Sequence, residues 1–197
     1  MLIFLASVTL CTVKAYGYAE AEQSVSTTVQ PSVAIEKQAS SIEVSTANAE
    51  NGSHSGLQSV FSLKTNGTDE DYDFIVTSKI LTSGGEVSAY GNNGCILFGH
   101  TLATPTAEAI QNAKTGVRDN RNVIAYPVTA TITEPMSVNF NNDYGIYGDC
   151  YVVKVNGGTE GTLTHIVGQT PVSGTYSVGQ DEAGTYQATV TFTAVSK

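Results

Sequence analysis

The chain has no tryptophan, two methionines, three cysteines, three histidines and only nine lysines and arginines in 197 residues. Each scarcity excludes something. Nine basic residues stand against 18 acidic ones, a formal net charge of -9. With no basic run or basic aromatic patch, nucleic acid is not an expected partner. No apolar run reaches the ~20 residues of a membrane-spanning helix. His54, His100 and His165 are isolated from one another. They lack the spacing that a zinc site needs, so no metal and no cofactor is expected. No Gly-x-Ser-x-Gly elbow is present, and no glycine-rich loop opens a helix to hold phosphate. The missing tryptophan speaks against a carbohydrate-processing cleft. Paired carboxylates for glycoside hydrolysis stay open only because Asp and Glu are plentiful. The expectation is a protein that is not an enzyme.

What the chain does have is Thr, Ser, Val, Gly, Asn and Tyr, a composition that favours strands and turns. It opens with MLIFLASVTLCTV. That apolar block has the length of a secretion-signal h-region, followed by small residues, although no Lys or Arg precedes it. Residues 1–19 are therefore read as a signal peptide, with Ala15, Ala19 or Ala21 as the cleavage position. The alternative is a buried hydrophobic strand or helix. Removal of the signal takes Cys11 away and leaves Cys95 and Cys150. An even count in an exported chain predicts a disulfide, which would contribute about 4 kcal/mol. Two free buried thiols are the other possibility.

Strand signals recur along the rest of the chain. Leu57, Ser59, Phe61 and Leu63 share a face, and Tyr72, Phe74 and Val76 begin another run, with Asn66-Gly67 between them as a hairpin-type turn. Gly84-Gly85 breaks that second run. Residues 123–133 read as one strand with Ile124, Tyr126, Val128, Ala130 and Ile132 on one face. Further strands are expected at 42–44, 87–90, 95–98, 136–140, 150–155, 163–167 and 175–178. A single short helix is expected within residues 103–116, with Thr104 as cap, Pro105 first and Gly116 as stop. The acidic run Asp69-Glu70-Asp71-Tyr72-Asp73 reads either as a solvated hairpin tip or as a calcium site, without the EF-hand pattern. About nine strands with one helix predict an all-β sandwich.

The two ends carry the strongest pattern. In SVSTTVQPSVAIE, residues 24–36, the positions Val25, Thr27, Val29, Pro31, Val33 and Ile35 form one stripe opposite Ser, Thr and Gln. At the other end, TYQATVTFTAV places Tyr186, Ala188, Val190, Phe192 and Ala194 on one face. VSTTVQPSVAIE near the start and AGTYQATVTFT near the end resemble bacterial pilins assembled by the chaperone–usher route. The resemblance covers roughly the two ends; the middle matches only in being β-rich. The short helix and the cysteine pair are additions to that pattern, and the chain is longer than a typical major pilin.

The resemblance implies an incomplete immunoglobulin-like sandwich, residues 38–197, completed by the donor strand of a neighbour. Residues 20–37 would be the extension, with Val25, Thr27, Val29, Val33 and Ile35 as anchors. Tyr186, Ala188, Val190 and Phe192 would border the groove and meet the chaperone before assembly. The implied partners are identical or related subunits, a periplasmic chaperone, an outer-membrane usher and a host or surface receptor. The implied location is a cell-surface fimbria reached through the periplasm. A competing reading is a monomeric secreted or surface sandwich that binds a glycan or protein through loops such as 144–151. A small secreted hydrolase is the weakest reading.

Overall fold

Period-two burial runs through the long strands of the computed structural model, which describes residues 26–37, 42–45, 52–54, 56–92, 94–117, 122–133, 135–177 and 179–197. The strands are β1 (Val33–Lys37), β2 (Ile42–Ser45), β3 (Leu57–Thr65), β4 (Tyr72–Thr82), β5 (Gly85–Ser88) and β6 (Ile96–His100). After the helix α1 (Ala107–Lys114) come β7 (Val123–Tyr126), β8 (Val128–Ile132), β9 (Ser137–Asn141), β10 (Cys150–Lys154), β11 (Thr159–Val167) and β12 (Thr185–Ser196). Residues 31–197 form one compact unit and residues 1–30 another. Of the second, only residues 26–30 are described, and they are exposed and outside any strand. The signal segment expected at residues 1–19 lies outside the described residues.

The protein is all-β and sandwich-like. One antiparallel sheet runs β1-β3-β11-β8. The larger one runs β7-β6-β12-β4-β10-β9, with β2 also on β12 and β5 also on β4. Phe61, Leu63 and Leu163 of the first sheet meet Phe74, Val76, Tyr151, Val153, Val190 and Phe192 of the second in one core. Phe61 and Phe192 pack edge to face across it, their centroids 5.9 Å apart. Ile75, Cys150 and Val152 form a second, smaller cluster covered by Tyr144 and Tyr147. Strand β10 is therefore buried on both faces.

Four expectations change in detail. The run at 123–133 is two strands, not one. Pro127 ends β7, which pairs with β6, and β8 continues on the opposite sheet beside β11. Proline has no N–H for a central ladder, so the chain changes sheets there. The Asn66-Gly67 turn is not a hairpin, because β3 pairs with β1 and β11 while β4 pairs with β12, β10 and β5. It too carries the chain between sheets. Residues 175–177 lie outside any strand. The helix is present, but its cap is Thr106, whose hydroxyl accepts from Ala109 N at 3.1 Å. Pro105 lies before the cap, is buried, and accepts from Ser83 N through its carbonyl. Gly116, at φ +80°, sits where the helix stops.

Candidate functional site

The N-terminal stripe divides at Ser32. Its downstream half is β1, antiparallel to β3 with Val33 opposite Thr65 and Ile35 opposite Leu63. Val33 and Ile35 are half-buried and pack against the core of their own chain. As expected donor-strand anchors they are thus engaged within the chain. Ser32 holds the entry to β1. Its N–H and hydroxyl donate to Asn66 Oδ1, and its carbonyl accepts from Asn66 N at 3.2 Å and Thr65 Oγ1 at 2.9 Å. Upstream, Pro31 offers no N–H and β3 has already ended at Thr65, so the ladder stops. Thr27 is exposed and Val29 is 75 % exposed, neither in a strand. Val25 lies outside the described residues. Sequence reasoning missed the Ser32–Asn66 clamp; the Asn-Gly turn was visible, but not its partner.

The C-terminal strand is central. Tyr186, Ala188, Val190 and Phe192 are all buried in the chain's own core. They were expected to border an open groove; instead their face is already filled. The two edges of β12 differ. Thr101 N donates to Thr185 O, and Lys197 N to Asp71 O. Backbone direction alternates along a strand, so odd-numbered residues of β12 turn toward β6 and β4, and even-numbered ones turn the other way. On that far side β2 covers only Thr185 to Ala188. Among the described residues, no strand pairs with the far-side groups of Val190, Phe192, Ala194 and Ser196.

The Ala-Gly-x-Tyr motif at the start of β12 has a local physical cause. Tyr186 Oη donates to Glu182 O, four residues back, at 2.7 Å. This is the corner by which sandwiches tie a loop to the strand that follows it. The His100 ring packs edge to face on Tyr186 at 4.9 Å. Its Nδ1 accepts from Leu102 N and Ala103 N, which assigns the proton to Nε2, facing Ala183 O at 3.4 Å. A Cβ on Gly184 would come within 2.3 Å of that Nε2. Glycine is required there by close approach.

Cys95 and Cys150 are free thiols, so the expected bridge is not formed. Strand alternation explains it. Cys150 faces the small cluster of Ile75 and Val152, whereas its neighbour Tyr151 faces the other way and donates to Gly94 O at 3.2 Å. The loop bearing Cys95 thus lies on the Tyr151 side of β10. Burial pushes the Cys150 thiol up to about 11, with Asp149 and Asp73 adding to the effect. Burial raises the Cys95 thiol as well.

His165 is wholly buried between the sheets, with Nε2 3.0 Å from Tyr90 Oη and, among the described residues, no hydrogen-bond partner at Nδ1. Burial brings its pKa down to about 4. The acidic run is not a solvated tip. Asp71 Oδ2 accepts from Thr68 N at 2.7 Å, Asp69 Oδ1 from Val155 N at 2.9 Å, and Asp73 Oδ1 from Tyr144 Oη at 3.1 Å. Lys154 and Lys197 pair with Asp69 and Asp73. These carboxylates are turned to separate partners. Among the described residues no cluster of three or more His, Cys, Asp or Glu could hold a metal, and no helix is long and apolar enough to cross a membrane. No protein-family model, no curated protein and no solved structure matches this chain.

Proposed function

We propose that the protein is a structural subunit of an extracellular fimbria, exported through the periplasm and joined to the next copy by strand addition. One observation carries this reading: among the described residues, an exposed alternating segment lies outside any ladder and no strand pairs with the far edge of β12 beyond Ala188. The segment contributes Thr27 and Val29, and the edge runs from Val190 to Ser196. A strand donor and a strand acceptor at different places on one chain make a head-to-tail contact that does not close, which is a fibre. Burial of Val25 and Val29 in a neighbour would supply about 1.5–3 kcal/mol each, on top of the main-chain hydrogen bonds. The core is already filled, so the donated strand extends an edge and does not replace a missing core layer. An open edge is an aggregation hazard before assembly, which supports a chaperone and an usher as export partners. Catalysis and cofactors have no part in this reading.

The test is the exported chain carrying Val25→Asp and Val29→Asp together. Filaments seen by electron microscopy, and detergent-resistant polymers on gels, should disappear while the folded subunit remains. Wild-type polymer yield from that variant would overturn the reading. A second reading, a monomeric surface protein binding a glycan or protein, is favoured by the loop before β10. There Ile146 is 92 % exposed and the Tyr144 and Tyr147 rings lie nearly parallel, 20° apart in plane. A saturable ligand lost in Ile146→Asp would select it.

A further inference from the structure

Where β12 passes from β6 to β4, the larger sheet opens into a fork. Gln187 pairs with Gly99 of β6, and Thr189 pairs with Lys79 of β4. Ala89 N donates to Ser78 O at 2.9 Å, so even-numbered residues of β4 turn their backbone groups toward β5 and odd-numbered ones toward β12. Leu81 is the next odd residue after Lys79. On a continued ladder it would meet Gln187, which is already committed to Gly99. Ser83 N finds Pro105 O at 3.0 Å. Among the described residues, nothing takes the N–H or C=O of Leu81. One backbone couple is left over.

That couple opens on a cleft of about 140 Å³. Ile80, Gly99 and Ala188 are the buried floor, with Pro105 and Ile80 packed close against the bare Gly99 backbone. Thr101, Gln187 and Thr189 supply hydroxyls and an amide on the walls. Lys79 and Glu86 face each other at 3.4 Å on the rim.

We propose that this fork binds a single neutral sugar residue. A peptide strand needs a run of free backbone groups, and here both flanking positions, Lys79 and Ser83, are already bonded. A charged ligand gains little, because Lys79 and Glu86 offset each other. A wholly apolar ligand would leave the Leu81 couple unpaired, at a cost. A pyranose brings hydroxyls that both donate and accept, and an apolar ring face for the Leu81 side chain, which is 65 % exposed. The volume is well under the ~300 Å³ at which pockets for drug-sized ligands begin, which limits the occupant to a single ring, and an oligosaccharide chain would extend outward. The site does not depend on polymerisation; the monomer binds equally.

The experiment is an amide NMR titration of the isotope-labelled full chain with methyl glycosides of glucose, galactose, mannose and N-acetylglucosamine, to about 50 mM. At least one sugar should give saturable shifts at Leu81, Gly99 and Gln187, with a dissociation constant of about 1 mM. Gln187→Leu and Thr101→Val should each weaken it about tenfold with unchanged melting temperature. Tyr147→Ala should leave it unaltered. The proposal is overturned if none of the four sugars shifts these amides at that concentration, or if the shifts persist undiminished in both cleft variants.

Discussion

Val29 and Ile35 lie on one alternating stripe of one sequence segment, yet Val29 is 75 % exposed and Ile35 packs against the core. Their side-chain chemistry is nearly the same. What separates them is the neighbour: Ile35 lies opposite Leu63 on β3, and β3 has no residue left to offer upstream of Ser32. Strand β12 carries the contrast further. With β2, β4 and β6 against it and its inward face in the core, it holds the larger sheet together, whereas β1 only trims the edge of the smaller one. Alternation licenses a strand; the available ladder decides how much that strand stabilises.

The contrast can be broken by measurement. Phe192→Ala should cost about 3–5 kcal/mol in urea unfolding, because it empties space against Phe61. Ile35→Ala, half-buried on an edge, should cost only about 1–2 kcal/mol. Equal losses would put β1 and β12 on the same footing. Next comes pH. The folded pKa of His165 is about 4 against 6.5 when unfolded. The unfolded chain therefore takes up a proton below pH 6.5 that the folded chain refuses until about pH 4. Stability should fall through that window by about 3 kcal/mol, and the loss should be smaller in His165→Gln. Tyr90 and Tyr151, which face the ring, do not titrate in that range. A pH profile unchanged by the substitution would assign the acid sensitivity elsewhere.

Smaller effects sharpen the same contrast. Tyr186→Phe removes the hydroxyl bond to Glu182 O and should cost about 1 kcal/mol. A larger loss would mean that the corner holds more than one loop. Val29→Asp should leave unfolding within about 0.5 kcal/mol of wild type, since the side chain is exposed. Any effect of that substitution belongs to assembly, and a marked drop in monomer stability would show that Val29 is part of the fold.

Much of the architecture was legible. The period-two faces of β3, β4 and β12 were readable because side chains on a strand must alternate. The short helix was readable from its helix formers and the glycine after it, though its cap lies two residues later because Pro105 is buried and its carbonyl accepts from Ser83 N. The Ala-Gly-x-Tyr signature was readable as well, and its meaning is local: a tyrosine corner and a glycine pressed against His100. Sheet membership was not legible. Neither Pro127 nor Asn66-Gly67 announces that the chain changes sheets, since a turn signal states that the chain bends and not what it then pairs with. The cysteine count suggested a bridge, but only strand polarity shows the two residues committed to opposite sides of β10. The cleft at the fork was invisible, because it arises from residues far apart whose ladders end out of step.

By itself the sequence determined an all-β chain with alternating strands, one short helix and an apolar stripe at the N-terminal end, because these follow from local geometry and side-chain chemistry. The tertiary structure decided which half of that stripe packs against the core, that the inward face of β12 is filled, and, among the described residues, which edge of β12 has no strand beside it and where a backbone couple is left over. Those depend on which strands lie side by side, and hydrogen-bond partners distant in the chain leave no mark on either residue's own surroundings in sequence.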